Sequence, residues 1–341
     1  MWLHVLLVIM GFALLYYGAE WLVKGSANLA RALGVSPVVI GLTVVAFGTS
    51  APELVVSVVS SFGGKSMIAV GNAVGSNIAN IALVLGSAAC LMPIIADRSV
   101  VRRDIPLMLG ISIFLFILSM DSSISRIEGM TLFGGVILYT IFNYYISARE
   151  KKTACHRAGS AAVPDMAPLP TELPGQSLQE IEEIGIIASR PKQIFLILAG
   201  ITGVITGAQV LIDSAVVIMK TFGLSEKFIG LTIVAIGTSL PELATSITAA
   251  FRKQMDISIG NLIGSNVFNI LSVIGLAGIV RPIDIPGGFF ASGLVYDYLV
   301  MMSVSFLPWV LMRRDCTIRR SGGVLLLGCY LAYMTWLVYM G

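Results

Sequence analysis

Two hexapeptides of one pattern, Gly-Thr-Ser-x-Pro-Glu, stand 189 residues apart: GTSAPE at Gly48–Glu53 and GTSLPE at Gly237–Glu242. Both lie in long apolar stretches, where a glutamate costs several kcal/mol unless it has a partner. Pro52 and Pro241 lack an N–H and clash with the carbonyl four residues back. The backbone near Gly48 and Gly237 should therefore lose regular hydrogen bonds, and glycine eases the unwinding. Carbonyls freed inside a bilayer need a partner, and a dehydrated cation is one candidate. Thr49 and Glu53 fall one turn apart on one face, with Ser50 beside them, and Thr238, Ser239 and Glu242 repeat the arrangement. Hydroxyl, carbonyl and carboxylate oxygens make a hard ligand set, suited to calcium or sodium and poorly suited to soft metals.

A second motif follows in each half, GSNIAN at 75–80 and GSNVFN at 264–269. Ser76 and Asn80, like Ser265 and Asn269, are spaced i and i+4 and can face one site. The glycine pairs Gly71/Gly75 and Gly260/Gly264 should allow close helix contact. Plainer readings exist: a membrane proline can be only a kink, and small polar residues only packing glue. Against them, no Lys or Arg occurs at 37–64, 66–95, 228–251 or 254–280. A buried carboxylate there must be protonated, paired to another span, or bound to a cation from solution. Glu20 is expected to pair with Lys24 at i+4. Asp104 and Asp297 suit helix N-termini, and Asp213 has no assigned role.

The elements that must position these residues are membrane helices. Of 341 residues 56% are hydrophobic and 12% charged, with a mean hydropathy of +0.90, far from a soluble domain. Ten apolar segments of spanning length run over 3–23, 36–61, 67–92, 104–120, 128–147, 193–219, 227–250, 257–280, 295–312 and 322–340. The first reads as a span rather than a cleaved signal. A proline-rich polar stretch at 148–192 reads as a linker between units 1–147 and 193–341. The four scattered cysteines (Cys90, Cys155, Cys316, Cys329) suggest neither disulfides nor a zinc site. With both termini outside, 17 of the 22 basic residues face the cytoplasm, so the positive-inside rule places the central linker there. It also explains the charge without a nucleic-acid partner.

The halves align without gaps across their cores. Residues 41–57 match 230–246 at 12 of 17 positions, and 71–86 match 260–275 at 9 of 16. Two five-span copies imply an all-α polytopic membrane protein of ten helices. Because five is odd, the copies must be inverted, an arrangement that places substrate sites near the midplane at broken helices.

With both motifs present in both halves, the chain resembles the sodium/calcium exchanger superfamily, specifically a compact prokaryotic-type member. The resemblance covers nearly everything outside the linker. It implies alternating access between one calcium and several sodium ions at overlapping sites. It would make Glu53 and Glu242 the principal calcium ligands. Thr49, Ser50, Thr238 and Ser239 would line sodium positions with the carbonyls of Ala46 and Ala235, and Ser76, Asn80, Ser265 and Asn269 would complete the pocket. Some relatives, including potassium co-transporters, carry aspartate where this chain has Asn269, so exchange independent of potassium is expected. Calcium and sodium are then cargo; no resident cofactor, nucleic acid or obligate protein partner is expected, and the site is the cell membrane. Proton-coupled cation antiport is the alternative within the superfamily, since a glutamate carries a proton as readily as it binds calcium. A channel fits matched broken helices less well. An intramembrane hydrolase lacks a base, because the only histidines are His4 and His156.

Overall fold

The computed structural model describes residues 2–160, 187–221 and 237–340. Helix α1 spans Trp2–Leu33. A bent pair follows, α2 Pro37–Thr49 and α3 Ala51–Phe62, with 47° between its halves. Next come α4 Met67–Leu91, α5 Ile105–Ser119, α6 Arg126–Ser160 and α7 Arg190–Thr221. Helices α8 Leu240–Phe251, α9 Met255–Val280, α10 Leu294–Met312 and α11 Arg320–Met340 complete the described chain. Seven described helices are long and apolar enough to cross a membrane, and the bent pair makes an eighth. Their outward side chains are apolar and exposed, as at Trp2, Leu6 and Phe12 of α1, which suits a multi-pass protein with lipid as its solvent.

Two expected segments differ in extent. Segment 104–120 forms an α-helix of 15 residues, lengthened at its start by a π turn at Val100–Asp104; segment 227–250 is described only from residue 237. Helix α6 continues past residue 147 to Ser160, so the polar stretch begins as helix. Residues 161–186 of the expected linker lie outside the described residues.

Close approach of helices rests on glycine. Helices α1 and α7 pack antiparallel along their lengths, and a Cβ at Gly18 would lie 2.7 Å from the Val204 amide nitrogen. One at Gly200 would lie 2.6 Å from that of Leu22. In α9, a Cβ at Gly260 or Gly264 would stand 2.7 or 2.6 Å from the backbone oxygen of Val38 or Leu42. The expected contact therefore forms at Gly260/Gly264. At Gly71/Gly75 a Cβ would meet nothing among the described residues; the residues matched to Val38 and Leu42, 227 and 231, lie outside them.

Two short antiparallel ladders tie distant segments together. Ile94–Ile95 pairs with Thr317–Ile318, and Ser123–Ile124 with Ile283–Asp284. In each ladder an isoleucine pair, Ile94 with Ile318 and Ile124 with Ile283, is fully buried. The ladders thus close both ends of the main apolar core around α4, α5, α9 and α10.

Several acids find partners the sequence did not specify. Both oxygens of Glu20 are held by the guanidinium of Arg252, just past α8, rather than by Lys24. Helix α8 packs on α1 at that level, and a planar fork matches a carboxylate better than an ammonium does. Asp104 stands at the N-terminus of α5 without a side-chain capping bond; it is buried and accepts from Arg103 Nε at 2.7 Å and Nη2 at 3.2 Å. Asp297 sits in the first turn of α10, where Tyr333 donates to it at 2.9 Å.

Candidate cation site

The first hexapeptide breaks its helix, and the second starts one, where proline predicts. Helix α2 ends at Thr49 and α3 resumes at Ala51, with Pro52 in its first turn; α8 begins at Leu240 with Pro241 in its first turn. Proline is tolerated there because a first-turn N–H has no helical partner. The carboxylates of Glu53 and Glu242 consequently fall in the first turns of α3 and α8, where the positive end of the helix dipole favours negative charge. Both motif glycines are roofed by α7: a Cβ at Gly48 would strike Ile201 and one at Gly237 would strike Ile212.

Glu53, Glu242, Thr49, Ser50, Ser239, Ser76, Asn80, Ser265 and Asn269 are all buried, and Thr238 is half-buried. Ala46 is buried too, and its carbonyl accepts from the Ser50 amide at 3.0 Å and from the Thr49 hydroxyl at 3.4 Å. Ala235 lies outside the described residues. The first hexapeptide reaches across to the second half of the chain. Ser50 Oγ donates to Glu242 Oε1 at 3.3 Å, and Thr49 Oγ1 donates to Asn261 Oδ1 at 3.1 Å and lies 3.4 Å from Ser265 Oγ. Ser76 borders Glu53, as Ser265 borders Glu242. Among the described site residues, six buried oxygens have no hydrogen-bond partner: both of Glu53, Oε2 of Glu242, Oγ of Ser239, and Oδ1 of Asn80 and Asn269. Unpaired buried oxygens are costly, and carboxylate, hydroxyl and amide oxygens are the ligand types a hard cation takes.

What the sequence did not reveal is how the asparagines are aimed. Asn77 and Asn266 each donate to the other's backbone carbonyl at 3.2 Å. Their side-chain oxygens then accept from Asn269 and Asn80, at 3.1 Å each. The four amides form a closed network in which every bond has a counterpart 189 residues away. Because Asn80 and Asn269 spend their NH2 groups here, their Oδ1 atoms remain the available ends. The π turns that begin at Ala79 and Asn269 follow directly, and such turns disturb the regular carbonyl ladder. A further matched pair steadies the hexapeptide helices. Asn72 donates to Ser57 at 3.0 Å and to the Glu53 carbonyl at 3.2 Å, and Asn261 donates to Ser246 at 3.2 Å. The signal for Asn72, Asn77, Asn261 and Asn266 was present, since all four are identical across the aligned halves. Their roles were not visible, because the partners are on other helices.

Asn77→Ala should therefore reduce cation affinity without removing a ligand. Asn269 would lose the acceptor that fixes its amide and could turn a nitrogen toward the pocket. A loss of about tenfold, on the scale of groups that orient metal ligands, is expected in calcium titrations of the purified protein.

The family model described as sodium/calcium exchanger protein matches residues 3–146 and 192–339. A protein of Alkalimonas amylolytica provisionally named antiporter CaxA is 36% identical over 96% of this chain and 96% of its own. The inner membrane protein YrbG of Escherichia coli strain K12 is 34% identical over 98% and 96%. A solved structure of the sodium-calcium exchanger NCX_Mj, soaked with zero Na+ and Ca2+, superposes with a TM-score of 0.79 at 31% identity, covering 98% of this chain and 99% of that one.

Proposed function

The chain belongs to the sodium/calcium exchanger protein family, and from that premise we propose that it exchanges sodium for calcium across the cell membrane by alternating access, without potassium. The observation that carries this reading is that both oxygens of Glu53 and Oε2 of Glu242 are buried without a hydrogen-bond partner, with Ser76 beside the first and Ser50 and Ser265 beside the second. In it, calcium takes the two carboxylates, and sodium takes positions lined by Thr49, Ser50, Thr238, Ser239 and the carbonyls of Ala46 and Ala235. Ser76, Asn80, Ser265 and Asn269 complete the shell. The ions are cargo, and the protein holds no resident cofactor or nucleic acid.

Charge gives a physical reason for obligatory exchange. Two carboxylates nearly neutralise one calcium ion, so the loaded pocket crosses the apolar interior cheaply. An empty pocket with two charges resists that crossing. The ten helices form two inverted five-helix repeats with both termini outside and the 148–192 segment in the cytoplasm. Hydrogen bonds recurring at an offset of 189 residues support the repeat. The two ladders support it as well, each joining a segment of one half to a segment of the other.

Labelled-calcium uptake into reconstituted vesicles decides the coupling ion. Uptake should follow an outward sodium gradient and ignore potassium. Uptake driven by a pH gradient without sodium would replace this reading with proton-coupled antiport in the same family. Asn269→Asp is expected to change the coupling rather than merely weaken it. A third carboxylate leaves the calcium-loaded pocket with a net negative charge, and it sets acceptor against acceptor at Asn77 Oδ1, where Asn269 now donates. Calcium uptake by that variant should acquire a dependence on pH or on potassium that the parent lacks, read by repeating the same uptake across both gradients.

A further inference from the structure

The pocket is closed on one side and open on the other. Thr49 and Ser50 are buried and bonded across to Asn261 and Glu242. Their counterparts behave differently: Ser239 Oγ has no partner, and Thr238 borders a cavity of about 510 Å³. The same cavity is lined by Val56 of α3 and by Gln209, Ile212, Asp213 and Val216 of α7. Asp213 is exposed into it, and its two oxygens accept from the single amide of Gln209 at 3.0 and 3.1 Å. A neutral amide leaves the carboxylate its full charge, and no Lys or Arg pairs with it among the described residues. Ile212, the preceding residue, rests on Gly237, so Asp213 is held at a fixed distance from the second hexapeptide.

The matched place in the first half is built otherwise. The residues 189 positions earlier are Glu20 for Gln209 and Lys24 for Asp213. There the acid is tied to Arg252. Among the described residues, the carboxylate at Asp213 therefore has no basic partner, whereas Glu20, the acid at the matched place in the first half, has one. An ionised acid within an apolar helix is costly against lipid and tolerable against a water-filled passage.

We propose that Asp213, positioned by Gln209, is an outer cation station in the access cavity, where hydrated calcium or sodium is concentrated before reaching Thr238 and Glu242. The station rests on the cation-exchange reading of the inner pocket, and it adds a residue that acts on access rather than on occlusion. Charge in a low-dielectric cleft raises the local cation concentration and the on-rate, and such an effect is screened by salt.

The test is the initial rate of labelled-calcium uptake by wild type, Asp213→Asn and Asp213→Glu in vesicles of both orientations, under whichever gradient drives wild-type uptake. Asp213→Asn should raise the calcium KM about threefold or more when calcium is offered to the face nearest Thr221. The saturated rate should hold, Asp213→Glu should behave as wild type, and added choline chloride should narrow the gap. From the other face KM should be unchanged. An unchanged KM on both faces, an equal rise on both, or a fall in saturated rate with KM constant would each overturn the station. Loss of the shift with wild-type uptake intact condemns the station alone. Absence of calcium uptake by wild type under any gradient would overturn the parent reading and the station with it.

Discussion

Vesicles carrying Glu53→Gln or Glu242→Gln should lose sodium-driven calcium uptake by about two orders of magnitude or more. Each substitution keeps the shape of the side chain and removes one of the two charges that balance calcium. The remaining single carboxylate leaves the loaded pocket at a net charge of +1 in an apolar interior, where an uncompensated charge costs several kcal/mol, and about 1.4 kcal/mol is already tenfold in affinity. The two variants should not be equivalent in detail. Glu53 has no hydrogen-bond partner on either oxygen, whereas Glu242 already accepts from Ser50 at 3.3 Å. Glu242→Gln can turn its NH2 toward Ser50, which can in turn offer its own oxygen, so that variant should fold at least as well. Thermal unfolding in detergent separates the two effects. Both variants should lose calcium-dependent stabilisation, while their apo midpoints stay near that of the parent. Full uptake by either variant would remove the carboxylates from the transport reaction.

Gly264→Leu should cost both the fold and the site. The Cβ alone would stand 2.6 Å from the Leu42 backbone oxygen and 2.7 Å from the Ala46 Cβ. Backbone cannot rotate away as a side chain can, so α2 and α9 must separate. Overpacking typically costs about 1–3 kcal/mol, and separation here also breaks the contacts of Thr49 with Asn261 and Ser265. The variant should unfold at a markedly lower temperature, and the surviving fraction should bind calcium poorly. Gly110→Ala is the control: nothing among the described residues lies within 4 Å of its Cβ, and alanine in a helix interior is favoured over glycine by about 1 kcal/mol. It should be neutral or slightly stabilising. Equal stability of Gly264→Leu and Gly110→Ala would mean that the close approach of α2 and α9 is not required.

Much of the site is legible in the order of residues. Proline position predicts where α2 breaks and where α8 starts, because a missing N–H acts within one turn of chain. Burial of Glu53 and Glu242 follows from the apolar sequence around them. Extents are less legible. Helix α5 matches its apolar run to within a residue at each end, but a π turn at Val100–Asp104, which composition does not encode, lengthens it at its start. Glu20 illustrates a different failure. Lys24 is the near neighbour, but the helix carrying Arg252 packs against α1 and brings a better-shaped partner from 232 residues away.

The chemistry of the pocket is written in the chain: two carboxylates, paired hydroxyls and amides, no basic residue nearby, and the duplication that supplies each of them twice. These follow from residue type and local spacing, which a chain carries in full. Packing alone settles which atoms are offered. Asn80 and Asn269 present oxygen because Asn77 and Asn266 take their NH2 groups from across the interface, and Thr49 is sealed while Thr238 borders a cavity. Two nearly identical hexapeptides cannot encode that difference locally. It arises from the neighbours each hexapeptide meets: Thr49 reaches Asn261 and Ser265 on α9, whereas Thr238 faces the cavity beside Gln209 and Asp213, and a hydrogen bond depends on where its partner helix lies.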